Sequence, residues 1–349
     1  VSQLGHDLEE ILSVSEIDLR SIVDKSVLMT GGTGFVGSWL TESWDHACRR
    51  LRGKGRLTIV SRDPTAFVSE HSLDSGRVEF ISGDVRSFKV AQGTSFDLVV
   101  HAATPARATL NNNRPAEMLD IILGGQENLL RQVTNGTSPR LLFTSSGAVY
   151  GPQPTTIDKI SEDQLIGPDT LNPRSAYHEG KRMAEMLLSI AASEGGVQPL
   201  VARLFAFHGP YLPLNEHFAI GNFIRDALAG GPIVVNGDGT TVRSYQYPTD
   251  MVSWLWAIAE RAQACRAYNV GSDEGMSMLE IARAVATAAG IFEVDIRGTP
   301  DPTRAIDRYV PSIDRSNTEL GLGNRVSFTE GLTRTLRWHK ERNQWVRRV

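Results

Sequence analysis

Cysteine is almost absent from this 349-residue chain; the only two, Cys48 and Cys265, lie far apart. That excludes a disulfide framework and a closely spaced thiolate metal site, and it suits a reducing compartment. Also missing is any apolar run near the about 20 residues a membrane-spanning helix needs. Neither sign of charge gathers into a block: 36 Lys and Arg face 40 Asp and Glu, for a net charge of −4. With a pI near 6.1, nucleic acid and anionic membranes are poor partners. The stretch "VSQLGHDLEEILSVSEIDLR" is acidic and amphipathic, unlike a signal peptide. No pair among His101, His178, His208 and His217 has the spacing of a two-histidine ligand set, so no metal is expected. These absences lead to the expectation of a soluble cytoplasmic protein.

What is present is an alternation. "KSVLMTGG", "RLTIVSR", "RVEFISGD", "FDLVVHAA", "RLLFTSS" and "PLVARLFAF" read as strands, several of them continuously apolar. Helical stretches such as "FVGSWLTESWDHACRRL", "PAEMLDIILGGQENLLRQV" and "SAYHEGKRMAEMLLSIAAS" stand between them. Apolar strands alternating with helices predict an α/β fold: a Rossmann-type, doubly wound parallel sheet covered on both faces. Residues 1–24 read as a helical extension and 25–205 as the dinucleotide-binding lobe, with 249–264 packing back on it. Turn-rich, Gly-broken segments at 206–248, together with 265–349, read as a smaller, non-contiguous substrate lobe.

The first strand runs straight into Gly31, Gly32, Gly34 and Gly37. Glycine is entropically costly, so it needs a reason to precede a helix. The G-x-x-G-x-x-G spacing between strand and helix supplies one: Gly31 for a tight turn, Gly34 for close approach of a pyrophosphate, Gly37 for close helix–sheet packing. Phe35 and Val36 then open the helix whose N-terminus faces the phosphates. The second strand ends in Ser61 and Arg62, with Asp63 displaced outward. An Arg fork suits a 2′-phosphate, which favours NADP(H), while NAD(H) stays open because Asp63 can still reach a ribose. Asp84 and Val85 bracket the adenine, and Ala102, Ala103 and Thr104 line ribose and phosphates.

Tyr177 and Lys181 lie one helical turn apart on one face. A neighbouring ammonium favours the phenolate, so the expectation is that Lys181 lowers the Tyr177 pKa and also holds the nicotinamide ribose. Ser146, at a strand end, is placed to hydrogen-bond the same reacting oxygen.

"GGTGFVG", "SSGAVYG", Tyr177-x-x-x-Lys181, "GDGTTVRSYQYPTD", "YNVGS" and "RYVP", in this order, resemble the extended short-chain dehydrogenase/reductase family in its nucleotide-sugar branch. UDP-glucuronate decarboxylases and dTDP-glucose 4,6-dehydratases look most similar. The resemblance implies a nucleoside diphosphate sugar as substrate and a homodimer formed through a four-helix bundle. It implies Arg243 and Asn222 at the diphosphate, Val234 and Val235 at the base, and Thr104 and Arg107 at the sugar.

Two departures matter. Decarboxylases of the family carry a Glu two residues after the catalytic Ser or Thr, and dehydratases an Asp-Glu pair. Gly147 and Ala148 stand here, neither able to ionise, and their small size leaves room for a turning sugar. In "RLFAFHGP", Ala206 and His208 depart from the family's R-x-F-N-x-Y-G-P, so one diphosphate contact is lost, or is replaced by His208 or by the loop "YLPLNEHF". What remains is chemistry needing a hydride and one proton. The expectation is an NADPH-dependent 4-keto reductase of an NDP-6-deoxy-4-ketohexose. A 4-epimerase with retained NAD is the alternative. A decarboxylase-like enzyme and a dinucleotide-sensing regulator stand further back.

Overall fold

A computed structural model describes residues 2–105, 108–134, 137–216 and 218–346. Arg107 and His217 lie outside the described residues. The chain begins α1 (Gln3–Ile22), β1 (Ser26–Thr30), α2 (Phe35–Leu51), β2 (Arg56–Ser61), α3 (Thr65–Glu70) and β3 (Val78–Ser82). It continues β4 (Leu98–His101), α4 (Ala108–Asn113), α5 (Pro115–Val133), β5 (Arg140–Ser146), α6 (Ala176–Ser193) and β6 (Gln198–Leu204). Then come α7 (Ala219–Ala229), β7 (Ile233–Val235), β8 (Val242–Arg243), α8 (Pro248–Arg261) and β9 (Arg266–Val270). Last are β10 (Met276–Ser277), α9 (Met278–Ala289), β11 (Val294–Ile296), β12 (Arg308–Tyr309), α10 (Asp314–Leu320) and α11 (Phe328–Val346).

Seven strands, each pair parallel, form the main sheet in the order β3-β2-β1-β4-β5-β6-β9. Successive strand residues point to opposite faces. Val27, Met29, Leu98, Val100 and Leu142 therefore enter the core beneath α1, α2 and α8, while Leu28, Val99, Leu141 and Phe143 enter the core beneath α5 and α6. Both faces are covered, which is why the strands read as unbroken apolar runs. The strand order reverses between β1 and β4, and the crevice beyond their C-terminal ends is where such sheets place a ligand.

β9 is a member of this sheet, whereas a boundary at residue 265 assigns it to the smaller lobe. Its polar residues hide it in the sequence. Arg266 is paired with Glu319, and the buried Asn269 accepts the Tyr150 hydroxyl at 2.8 Å and donates to the Ile160 carbonyl at 2.9 Å. α1 lays Ile11, Leu12, Leu19 and Ile22 into the core beside α8, whose Trp254 and Trp256 are fully buried there. Polar contacts pin α1: the Tyr247 hydroxyl donates to the buried Asp7 carboxylate at 2.7 Å, and Arg261 pairs with Asp18 at 2.8 Å. The second core gathers Ile220, Phe223 and Ile224 of α7, Ile281 and Val285 of α9, and Leu332 of α11. Beside it stand the pair β7–β11 and the three-stranded sheet β10-β8-β12. Among the described residues, no helix is long and apolar enough to cross a membrane.

Candidate active site

At the β1–α2 corner, Gly31 adopts φ +76°, and a Cβ there would come within 2.6 Å of the Ala102 carbonyl oxygen after β4. A Cβ on Gly37 would collide with the Gly31 carbonyl oxygen. Both glycines are demanded by the protein's own packing. Gly34 is different: its Cβ would meet only the Gly31 oxygen, at an ordinary 3.5 Å. Packing does not require glycine there, and no side chain caps the first turn of α2. Its N–H groups are left to something outside the helix. The corner therefore fits the pyrophosphate of a dinucleotide, with Gly34, Phe35, Val36 and Gly37 as the cradle.

Around the corner, Ser61 is buried and its hydroxyl lies 2.9 Å from that of Thr33. Arg62 is exposed. The Asp63 carboxylate turns back on its own chain and accepts the Thr65 N–H at 2.9 Å, which lowers its pKa. Asp84 is clamped by Arg86, whose backbone N–H, Nε and Nη2 donate to it at 2.8–2.9 Å. That pulls its carboxyl down to about 2. Val85 is buried in the core under α5.

Beyond β5, Ser146 caps a 3-10 turn, its hydroxyl accepting the Ala148 N–H at 3.1 Å. A buried brace holds that strand end. The preceding Ser145 donates to Glu185 on α6 at 2.5 Å, and Arg203 on β6 pairs with the same carboxylate at 2.8 Å. Tyr177 sits in the first turn of α6, its N–H donated to Asn111 at 2.9 Å. One turn on, the buried Lys181 donates from Nζ to the Thr144 carbonyl at 2.7 Å and to the Thr104 hydroxyl at 3.0 Å. The structure thus brings Ser146, Tyr177, Lys181 and Thr104 together at the sheet's C-terminal edge.

The electrostatics differ from the simple pairing that the sequence implies. Burial pushes the Tyr177 phenol above its usual value, and the Ser146 hydroxyl beside it only partly offsets this. Lys181 does not figure among the groups acting on it. Its Nζ is turned to Thr144 and Thr104, 5.9 Å from the centre of the Tyr177 ring and 4.6 Å from that of Phe143. Burial instead pulls Lys181 itself down to about 7, opposed by Glu185. Burial that lowers the Lys181 pKa weakens the ammonium's hold on the neighbouring phenol in this chain alone.

A second correction concerns Gly147. The room expected for a turning sugar is filled: a Cβ at 147 would lie 2.6 Å from Phe205 Cζ and 2.7 Å from the Tyr309 hydroxyl. Glycine stands here because two aromatic side chains from elsewhere in the chain need the space. His208 is also not where a ligand contact requires it. Its ring is fully buried among Tyr245, Tyr247 and Phe328, neither nitrogen has a partner, and burial takes its pKa down to about 3. Ala206 offers only its carbonyl, which accepts the Gln246 N–H at 3.0 Å.

In the smaller lobe, Arg243 on β8 pairs with Asp307 at 2.5 Å and stands in register beside Tyr309 on β12. Asn222 on α7 accepts from Arg225 at 2.9 Å. Val234 is half-buried on β7, while Val235 is buried in the second core. Tyr309, Phe205, Thr144 and Glu185 escaped the sequence reading. "RYVP" carried Tyr309 in plain view, but nothing local says that residue 309 reaches residue 147.

A doubly wound sheet, a glycine corner at its switch point and a Ser–Tyr–Lys group beside it define the class as a dinucleotide-fold protein of the short-chain dehydrogenase type. The chain belongs to the NAD dependent epimerase/dehydratase family, whose model matches residues 27–271. That bears out the family resemblance read from the motifs. The chain is similar to UDP-glucuronic acid decarboxylase 1 of Xenopus tropicalis, 29% identical over 333 residues that cover 92% of this chain and 75% of that protein. Among solved structures, epimerase Mth375 of Methanothermobacter thermautotrophicus superposes with a TM-score of 0.79 at 24% identity, covering 96% of this chain and 97% of that one. A dTDP-glucose 4,6-dehydratase from Streptomyces venezuelae with NAD bound gives 0.75 at 21%, covering 92% and 98%. At these identities the two structures speak to the fold, which is the predicted parallel α/β one.

Proposed function

We propose that this protein is an NADPH-dependent reductase of a nucleoside diphosphate 4-keto-6-deoxy sugar. The observation that carries the reading is the composition of the site beyond β5. Ser146 and Tyr177 stand beside one another with Lys181 one turn away, Ala148 stands where the decarboxylases carry their Glu, and Phe205 and Tyr309 fill the ground over Gly147. When bound, a nicotinamide supplies or accepts a hydride at the sugar carbon. The chain's own part is the proton. Tyr177, kept neutral by burial, is the donor to the sugar oxygen; Ser146 orients that oxygen; Lys181 and Thr104 hold the ribose side.

Residues 147 and 148 cannot ionise, so loss of water lacks the acid/base pair and decarboxylation lacks the glutamate that those relatives carry at these positions. The decarboxylase reaction of the sequence relatives is therefore not carried over. The packed space over Gly147 also favours reduction over epimerisation, because a keto sugar that must turn between two faces needs that volume. NADPH is favoured over NADH because Asp63 is engaged by Thr65, leaving exposed Arg62 as the charged group at the end of β2. Arg243 and Asn222 suit the diphosphate, with Val234 near the base.

A homodimer through α5 and α6 accompanies this reading. These helices pack side by side, and Met183, Met186 and Ile190 leave an exposed apolar stripe at helical spacing on α6. Ile190→Glu should convert a dimer into a monomer in sedimentation.

The test is to denature purified protein and identify any released dinucleotide, then to offer NADPH with dTDP- and UDP-linked 4-keto-6-deoxy sugars. An empty site with NADPH consumption is the expected result. Tightly held NAD and interconversion of C4 epimers would replace the reductase with the epimerase.

A further inference from the structure

The turn that carries Ser146 is tied down on both flanks. Before it, the Thr144 carbonyl accepts from Lys181 at 2.7 Å, and the Ser145 hydroxyl donates to Glu185 at 2.5 Å. After it, the Val149 carbonyl accepts from Arg182 at 3.0 Å, and the Tyr150 hydroxyl accepts from Arg203 at 2.9 Å. Lys181, Arg182 and Glu185 all stand on α6, the helix whose first turn bears Tyr177. The element that carries one hydroxyl of the site therefore grips the turn that carries the other.

Glu185 and Arg203 close these ties into one unit. Arg203 Nε and Nη2 donate to the two oxygens of the Glu185 carboxylate at 3.1 and 2.8 Å, fork to fork. That leaves Nη1 for Tyr150, whose ring centre lies 5.0 Å from the guanidinium carbon. The Tyr150 hydroxyl passes its own proton on to Asn269 of β9 at 2.8 Å. Ser145 and Tyr150, the two ends of the segment, are both 2% exposed, and the paired side chains 15% and 16%. One ion pair thus holds both ends of a segment with only residues 146–149 between them. A buried ion pair gains little stability over apolar packing of the same volume, so what this one adds is position.

We infer that Glu185 and Arg203 are positioning residues of this site: through Ser145 on one flank and Tyr150 on the other, they fix the 146–149 turn against α6 and so set where the Ser146 hydroxyl stands relative to Tyr177. That Ser146 acts on a sugar oxygen rests on the reductase reading; the hold on the turn does not.

Removing Glu185 or Arg203 strands a buried charge and costs stability on its own account. The experiment therefore cuts the two arms, with Ser145→Ala and Tyr150→Phe in the full chain. Each leaves the ion pair in place, Phe keeps the ring against Arg203, and melting curves check folding. Hydrogen exchange in the peptide 144–151, whose Ala148 N–H is bonded to Ser146 Oγ, should quicken about tenfold in each variant, while peptides of β1 and α2 keep their wild-type rates. With a 4-keto sugar nucleotide and NADPH, each should lower kcat about tenfold, with KM and the dinucleotide dissociation constant within about twofold. In a Ser146→Ala background the same substitutions should lower kcat no further. Exchange that keeps its wild-type rate in either variant overturns the inference, and so does a kcat loss that persists without the Ser146 hydroxyl. If the wild type turns over none of these sugars, the reductase reading falls, and exchange at the turn still decides whether the pair holds it.

Discussion

The two halves of the site are built in opposite ways. The glycine corner is a local structure: Gly31, Gly34 and Gly37 lie within one strand–turn–helix, and the neighbouring strands β2 and β4 add backbone at Val60 and Ala102–Ala103. The hydroxyl group beyond β5 is assembled from Ser146 and Tyr177, with Tyr309 packed against Gly147, and these meet only because β5, α6 and β12 converge. The corner tolerates little change because backbone meets backbone there. The hydroxyl group is held by side chains, so its residues can be exchanged without unfolding the sheet, at the cost of chemistry instead.

Five substitutions sharpen that contrast, from the largest effect to the smallest. Tyr177→Phe should cut turnover by about a hundredfold to ten-thousandfold while dinucleotide binding, read by fluorescence titration, is kept. Undiminished turnover would remove the phenol from the mechanism. Gly37→Ala drives a Cβ into the Gly31 carbonyl and should destabilise the fold by about 3 kcal/mol in chemical denaturation. Gly34→Ala, whose Cβ meets only the Gly31 oxygen at an ordinary 3.5 Å, should cost about 1 kcal/mol or less, yet weaken dinucleotide binding about tenfold. Equal stability losses at the two glycines would break the distinction between packing and cradle.

Lys181 gives a pH test of the side-chain half. Folded, it releases its proton near 7; the unfolded chain holds it to the ordinary 10.5. Unfolding therefore takes up a proton across that window, so stability rises as pH climbs from 7 toward 10.5. Lys181→Met should flatten that rise in melting curves recorded without dinucleotide; an unchanged slope would mean that the amine is not buried as described. The smallest effect is at the surface: Arg62→Ser should lower the preference for NADPH over NADH about fivefold, measured as a ratio of binding constants.

Legibility followed the same division. α2 and α5 begin and end where their apolar spacing and flanking residues predict, since a helix that lays one face on a sheet writes that face into its own period. The corner was legible for a similar reason: a left-handed φ and a backbone contact leave glycine as the one residue that fits. β9 was not legible, because Arg266 and Asn269 interrupt its apolar pattern and are satisfied by partners more than 50 residues away. Gly147 was legible as small but misread in meaning, because what fills the space beside it comes from residues 205 and 309.

By itself, then, the order of residues determined the parallel α/β framework, the family and the glycine corner, because each is encoded by neighbours a few positions apart. Only the tertiary structure decided that Lys181 is buried with its Nζ on Thr144 and Thr104, that His208 is sealed among rings, and that Tyr309 packs against Gly147. Desolvation and steric occupancy depend on everything packed around a group, and that surrounding is spread over the whole chain.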